Sequence, residues 1–151
     1  MKKYLNEEKN ISIEVPENYS LVDKKHYAQI GLDQTAQNQT LFLFVDANSS
    51  EAESFNVTHD ATYENNEIAL TKGVEANIAN LEKQNAIIAS KENFVSPNGK
   101  ELVKVMVVLH EIYINLIFTS VNGLLLCVGY VNQDQDAKKE MLFEQIASSI
   151  S

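Results

Sequence analysis

The chain has 151 residues, 44% of them hydrophobic and 22% charged, which is enough for one domain (1–151) with a core of its own and too little for two. With a mean hydropathy of -0.21 it reads as neither a disordered polyelectrolyte nor a bilayer-embedded protein. Its 21 carboxylates against 12 basic residues give a formal charge of -9, and a field of that sign repels phosphate backbones and anionic headgroups.

In chain order, Ile11-Ser12-Ile13-Glu14-Val15 alternates like a strand and is halted by Pro16, which cannot donate to a ladder. Further strands are predicted near Tyr27 to Gly31 and over Thr40 to Asp46, with Gln34 to Gln39 a polar turn between them. Ala47 to Asn66 reads as the longest loop, holding at most a short strand at Phe55-Asn56-Val57; long loops are often functional or mobile. A helix follows from Asn66 to Gln84, because Leu70, Val74, Ile78 and Leu81 form one apolar stripe and Asn65 or Asn66 can cap its start.

The second half predicts four strands in succession: Ala86 to Val95, Glu101 to Leu109, Ile112 to Thr119 and Leu124 to Val131. Pro97-Asn98-Gly99 and Asn122-Gly123 are strong hairpin signals and His110-Glu111 a weaker one, since primed turns need positive φ. Gly129, inside the last strand, marks a bulge or a close approach, with the final helix as the candidate neighbour. That helix is expected from about Asp134 to Ile150, with Phe143, Ile146, Ala147 and Ile150 on one face. Val105 to Leu109, Leu124 to Val128 and Leu41 to Val45 are continuously apolar, so both faces of their sheet must be covered. The predicted fold class is α+β: an antiparallel sheet with a C-terminal four-strand meander and helices packed on both faces, an α/β/α sandwich.

The motifs of several chemistries are missing from the sequence. All twelve basic residues are lysines, so the bidentate arginine grip on phosphate or base edges is unavailable and nucleic acid is not an expected partner. Cys127 is the only cysteine, which leaves no internal disulfide and no multi-cysteine zinc site; in its apolar run it reads as a small buried thiol. His110-Glu111 begins like a zincin motif, but Ile114 stands where its second histidine belongs. Nucleophile-elbow, P-loop and dinucleotide glycine patterns are not found, and the carboxylate pairs Glu51/Glu53 and Asp134/Asp136 read as solvated or capping. The expectation is therefore a non-enzyme with no metal, no cofactor and no catalytic residues. Met1-Lys2-Lys3 is followed by polar residues rather than an apolar stretch, which predicts a product that stays in the cytoplasm, and no apolar run reaches the roughly 20 residues a membrane span needs.

What remains for function is surface. Tyr19, Tyr27, Phe55 and Tyr63 lie in the irregular first half among Glu51, Glu53, Asp60 and Glu64, and aromatic anchors in an acidic setting suit a partner protein segment of basic or amphipathic character. The opposing reading puts Tyr19 and Phe55 in the core.

Ile11 to Tyr19, with its strand, proline and aromatic residue, resembles the opening of the PsbP-like superfamily. Ser96-Pro97-Asn98-Gly99-Lys100 and Ile117 to Leu126 are similar to its two later hairpins, and Phe143 to Ile150 to its closing helix. This α/β/α sandwich group takes in the photosystem extrinsic protein, the Ran-binding Mog protein, bacterial DcrB-type lipoproteins and the Eag chaperones of type VI secretion effectors. The resemblance implies an adaptor without catalytic residues. The leading expectation is thus a cytoplasmic chaperone or adaptor for another bacterial protein such as a secretion effector, or an inhibitor of one; a homodimer is a further form of partnership. The alternatives are a carrier of a small apolar ligand or lipid, and an unrecognised hydrolase built on His59, Asp60 and Glu64.

Overall fold

A computed structural model describes residues 1–49 and 53–151. Among the described residues seven strands form one antiparallel sheet in the order β3-β4-β5-β9-β8-β7-β6, and two more form a separate hairpin, β1-β2. The large sheet comprises β3 (Tyr19–Leu21), β4 (Thr40–Asp46), β5 (Ser54–Thr62), β6 (Ile87–Val95), β7 (Glu101–Leu109), β8 (Ile112–Val121) and β9 (Leu124–Val131); the hairpin is β1 (Lys2–Asn6) with β2 (Ile11–Val15). Helices α1 (Gln34–Gln39), α2 (Asn66–Lys83) and α3 (Ala137–Ser148) complete the element order. The fold class is the α+β sandwich that the continuous apolar runs required.

The period of two explains how one sheet serves two cores. Along β9, Leu124, Leu126, Val128 and Tyr130 face α3, where they join Phe42, Phe44, Phe55, Phe143 and Ile146. The intervening Leu125 faces α2 and packs with Leu70, Val74, Val103, Val105, Val107 and Phe118. Each helix starts where its cap residue stands: Asn65 Oδ1 accepts from Ile68 N at 2.9 Å for α2, and Asp136 Oδ1 from Lys138 N at 2.9 Å for α3. Two hairpin turns are primed, with positive φ at both central residues: His110 and Glu111 at 51° and 66°, Asn122 and Gly123 at 54° and 74°.

Four expectations from the sequence are corrected. Tyr27 to Gly31 is not a strand: Asp23 caps a single 3-10 turn over Lys24–His26 and the chain keeps turning through Gly31 at φ 94°, with Leu32 N bonded back to Tyr27 O. Gln34 to Gln39 is a short helix rather than a turn, because Asp33 Oδ1 takes the Ala36 amide at 2.8 Å. The predicted loop from Ala47 to Asn66 contains a nine-residue strand, β5, inserted between β4 and β9; its inward residues Phe55 and Val57 are 2% and 0% exposed, while polar Asn56 and Thr58 disguised the alternation. Gly129 faces α2 rather than the final helix, and a Cβ on it would come within 2.9 Å of Asn56 Oδ1 and 3.4 Å of Leu116 Cδ2. Strands β1 and β3 were not anticipated, and α3 is shorter at both ends than the apolar pattern suggested. Among the described residues no helix is long and apolar enough to cross a membrane.

Candidate functional site

The aromatic residues singled out for partner binding are mostly interior. Tyr19, Tyr27 and Phe55 are buried, and Tyr19 meets Phe55 edge-on at 5.0 Å inside the α3-side core, as the opposing reading of Tyr19 and Phe55 has it, rather than standing as anchors presented to solvent. Burial, followed by Asp46 and Glu53, pushes the Tyr19 phenol up to about 12, and burial, then Asp23, raises Tyr27 as well. Tyr63 is half-buried against the α2-side cluster, its amide held by Gly123 O at 2.7 Å. Of the acidic set, Glu53 pairs with Lys139 at 3.6 Å, Asp60 accepts from Asn77 Nδ2 at 3.2 Å, Glu64 is exposed and Glu51 lies outside the described residues.

The polar groups considered for hydrolysis are brought together only in part. His59 and Asp60 line a cleft of about 290 Å³ with Thr58, Asn77, Asn80 and Cys127; Glu64 is not part of its lining. His59 Nε2 lies 3.0 Å from Asn38 O and Nδ1 3.4 Å from Asp60 O, so both ring nitrogens face backbone carbonyls and the ring serves as a tie between β5 and α1. Cys127 is half-buried and lines the cleft, and burial pushes its thiol up to about 12, which leaves it far from a thiolate at neutral pH.

Two exposed apolar side chains, Val95 and Met141, flank the end of β6. This strand is the last in the large sheet, and its outer edge is left unpaired among the described strands. Its residues alternate between the two faces: Phe94 pairs with core residue Leu102 on the α3 side, and Val95 pairs with Glu101 on the α2 side. A groove of about 520 Å³ runs along the α2 side, floored by Leu70, Val74 and Val103 and flanked by Glu67, Lys91 and Glu101. A second, of about 770 Å³, runs along the α3 side past Pro97, Met141 and Leu142. Phe94 and Val95 line both grooves. Val95 is 63% exposed and Met141 68%.

The groove walls are fixed by the turn after β6. Gly99 N bonds Ser96 O at 2.9 Å, Asn98 Nδ2 donates to Ser148 O at 2.9 Å, and the Lys100 ammonium reaches Ile150 O, so the hairpin tip is stitched to the end of α3. Burial lowers the Lys100 pKa. Deeper in, Lys104 Nζ sits 2.5 Å from Glu144 Oε1 and 4.0 Å from Glu140 Oε2. Burial disfavours that ammonium, but the hydrogen bond and charge of Glu144, with Glu140 and Glu92, outweigh it and its pKa is raised.

The architecture has counterparts among solved structures. No family model matches the chain, and no curated protein does. The solution structure of cyanobacterial PsbP (CyanoP) from Synechocystis sp. PCC 6803 is similar over 99% of this chain and 91% of that one, with a TM-score of 0.67 at 15% identity. The chain has a PsbP-like fold. A protein of Bacteroides thetaiotaomicron VPI-5482 is similar at TM-score 0.53 and 13% identity; the match covers 99% of this chain and 47% of that one, about half its length.

The segments that carry the resemblance occupy the following elements. Ile11 to Val15 is β2, followed by Pro16 and the core ring of Tyr19; Asn122-Gly123 is the β8–β9 turn; Phe143 to Ile150 covers the second half of α3 and the residues after it. The β6 edge was missed as a site. A lysine and a glutamate in mid-strand are an edge signature, and Lys91-Glu92 carries it, but sequence alone does not say which strand ends a sheet.

Proposed function

We propose that the chain is a non-catalytic protein-binding domain, a chaperone or adaptor for another bacterial protein or an inhibitor of one, which docks its partner on the β6 edge and the two grooves beside it. The observation that carries this reading is the juxtaposition of exposed Val95 and Met141 with a groove on each side of an unpaired strand, the α3-side one mainly apolar and the α2-side one mixed, with an apolar floor and a charged rim. Exposed apolar surface that converges on concave features marks interaction sites, whereas isolated exposed side chains do not. The grooves lie open along a strand edge, a shape suited to a polypeptide more than to an engulfed lipid tail.

The test is quantitative affinity capture from native lysate with the wild-type chain and with a Val95→Asp/Met141→Asp variant, both confirmed folded by circular dichroism. Both positions are exposed, so the substitutions are tolerated by the core. A protein retained by the wild type and lost from the variant supports the proposal; recovery of the same proteins in equal amounts by both contradicts it.

A further inference from the structure

We propose that the open edge of β6 takes up an extended segment of a different protein as an additional strand, and that this segment places a lysine or arginine opposite Glu92 and aliphatic residues opposite Phe94 and Val95. The inference rests on the protein-binding reading above and adds to it the conformation and chemistry of the partner.

An edge strand presents a row of backbone donors and acceptors that a second strand can satisfy. β6 is nine residues long and most of them are exposed on both faces, so a strand laid along it meets no covering element. Opposite residues of an antiparallel pair point to the same face. A partner residue opposite Phe94 therefore enters the α3-side groove beside Met141 and Leu142, and the one opposite Val95 enters the α2-side groove over Leu70 and Val74.

The charge follows from what surrounds Glu92. It stands directly across from Lys104, and Glu92, Glu140 and Glu144 all act on that single ammonium. Counting Lys138 at the groove rim, carboxylates still outnumber ammonium groups three to two. On the other face Lys91 is outnumbered by Glu67 and Glu101. A cation in the incoming strand relieves the excess on the α3 side, and the formal charge of -9 draws a basic segment toward the molecule.

The same charges disfavour a second copy as the occupant. A two-fold axis normal to the sheet keeps the faces in common, so only residues of like parity can stand opposite each other. Pairing of all nine residues centres on Lys91 against Lys91, and moving the centre by one residue toward the grooves sets Glu92 against Glu92, with Glu140 and Glu144 of both copies close by.

Two labelled peptides of about ten residues, the length of a strand, test this. Both carry Val-Leu-Thr to face Val95, Phe94 and Asn93; the next residue, facing Glu92, is lysine in one and glutamate in the other. Fluorescence anisotropy on the full chain is expected to show the lysine peptide binding at least about tenfold tighter, Glu92→Gln narrowing the gap, and Glu92→Lys inverting the order, with amide shifts confined to β6 and the groove residues. Equal binding of the two peptides, binding of neither, or an order unchanged by Glu92→Lys overturns the proposal. If capture is lost with Val95→Asp/Met141→Asp while the peptides fail, the docking surface stands and strand addition falls.

Discussion

Replacing Phe143 by alanine is expected to lower the unfolding free energy by about 3–5 kcal/mol, the range for emptying a buried phenylalanine site. Phe143 is 1% exposed and is the point at which α3 meets the sheet. Its ring stacks on Tyr130 at 3.9 Å, meets Phe55 edge-on at 4.9 Å and lies 6.5 Å from Tyr19. Neighbours contributed by β3, β5 and β9 cannot all move inward to fill the space, so the cavity term adds to the lost transfer energy. Urea denaturation of the variant reads the loss as a lower midpoint with an unchanged slope. A change under about 1 kcal/mol would mean that α3 is held by something other than this aromatic cluster. Because the α3-side groove is walled by Met141 and Leu142 on the same helix, a variant with a loosened α3 should also weaken whatever binds there.

The second large effect is expected at Gly123, where alanine should cost at least about 3 kcal/mol, combining the left-handed backbone penalty with a damaged hydrogen bond. Gly123 sits at φ 74°, and a Cβ placed on it would fall on the Tyr63 carbonyl oxygen. Backbone there has little freedom to retreat: Tyr63 N donates to Gly123 O at 2.7 Å and Gly123 N donates to Asn66 Oδ1 at 2.7 Å, so the β8–β9 turn is clasped to the start of α2. Gly99 provides the control. It has φ 84° but nothing within 4 Å of a built Cβ, and Gly99→Ala should cost only about 1–2 kcal/mol. Thermal melts of both variants check the contrast; equal losses would show that backbone conformation alone, without the approach of Tyr63, accounts for the glycine.

The parts of the fold legible in the sequence are those where the local signal and the tertiary contacts agree. The β6 to β9 meander has turn residues suited to its turns and apolar strands suited to a two-sided core, and α2 has both its stripe and its cap. The sequence reads β5 as loop because the alternation carrying Phe55 and Val57 is filled on its other face by Asn56 and Thr58, which approach Gly129 or line the polar cleft rather than a conventional core. The turn at Tyr27 resembles a short strand in the sequence because an apolar ring and a glycine stand four residues apart, and only the cap at Asp23 signals the turn. Tyr19 and Phe55 looked like surface anchors because their acidic neighbours are surface residues; strand pairing turns the rings inward while the carboxylates stay out. Conversely, Val95 looks like an ordinary position in an apolar strand, and only the strand order, which leaves β6 at the edge, exposes it.

The proposed docking surface requires β6 to be a true open edge beside a sheet that is otherwise covered, and amide hydrogen exchange measures that directly. The amides of β6 that point away from β7 should exchange orders of magnitude faster than those of β8 and β9, whose opening requires the sheet to come apart. If the outward amides of β6 in the isolated chain are protected as well as those of β8, the edge is already occupied, and the docking surface proposed for it does not exist.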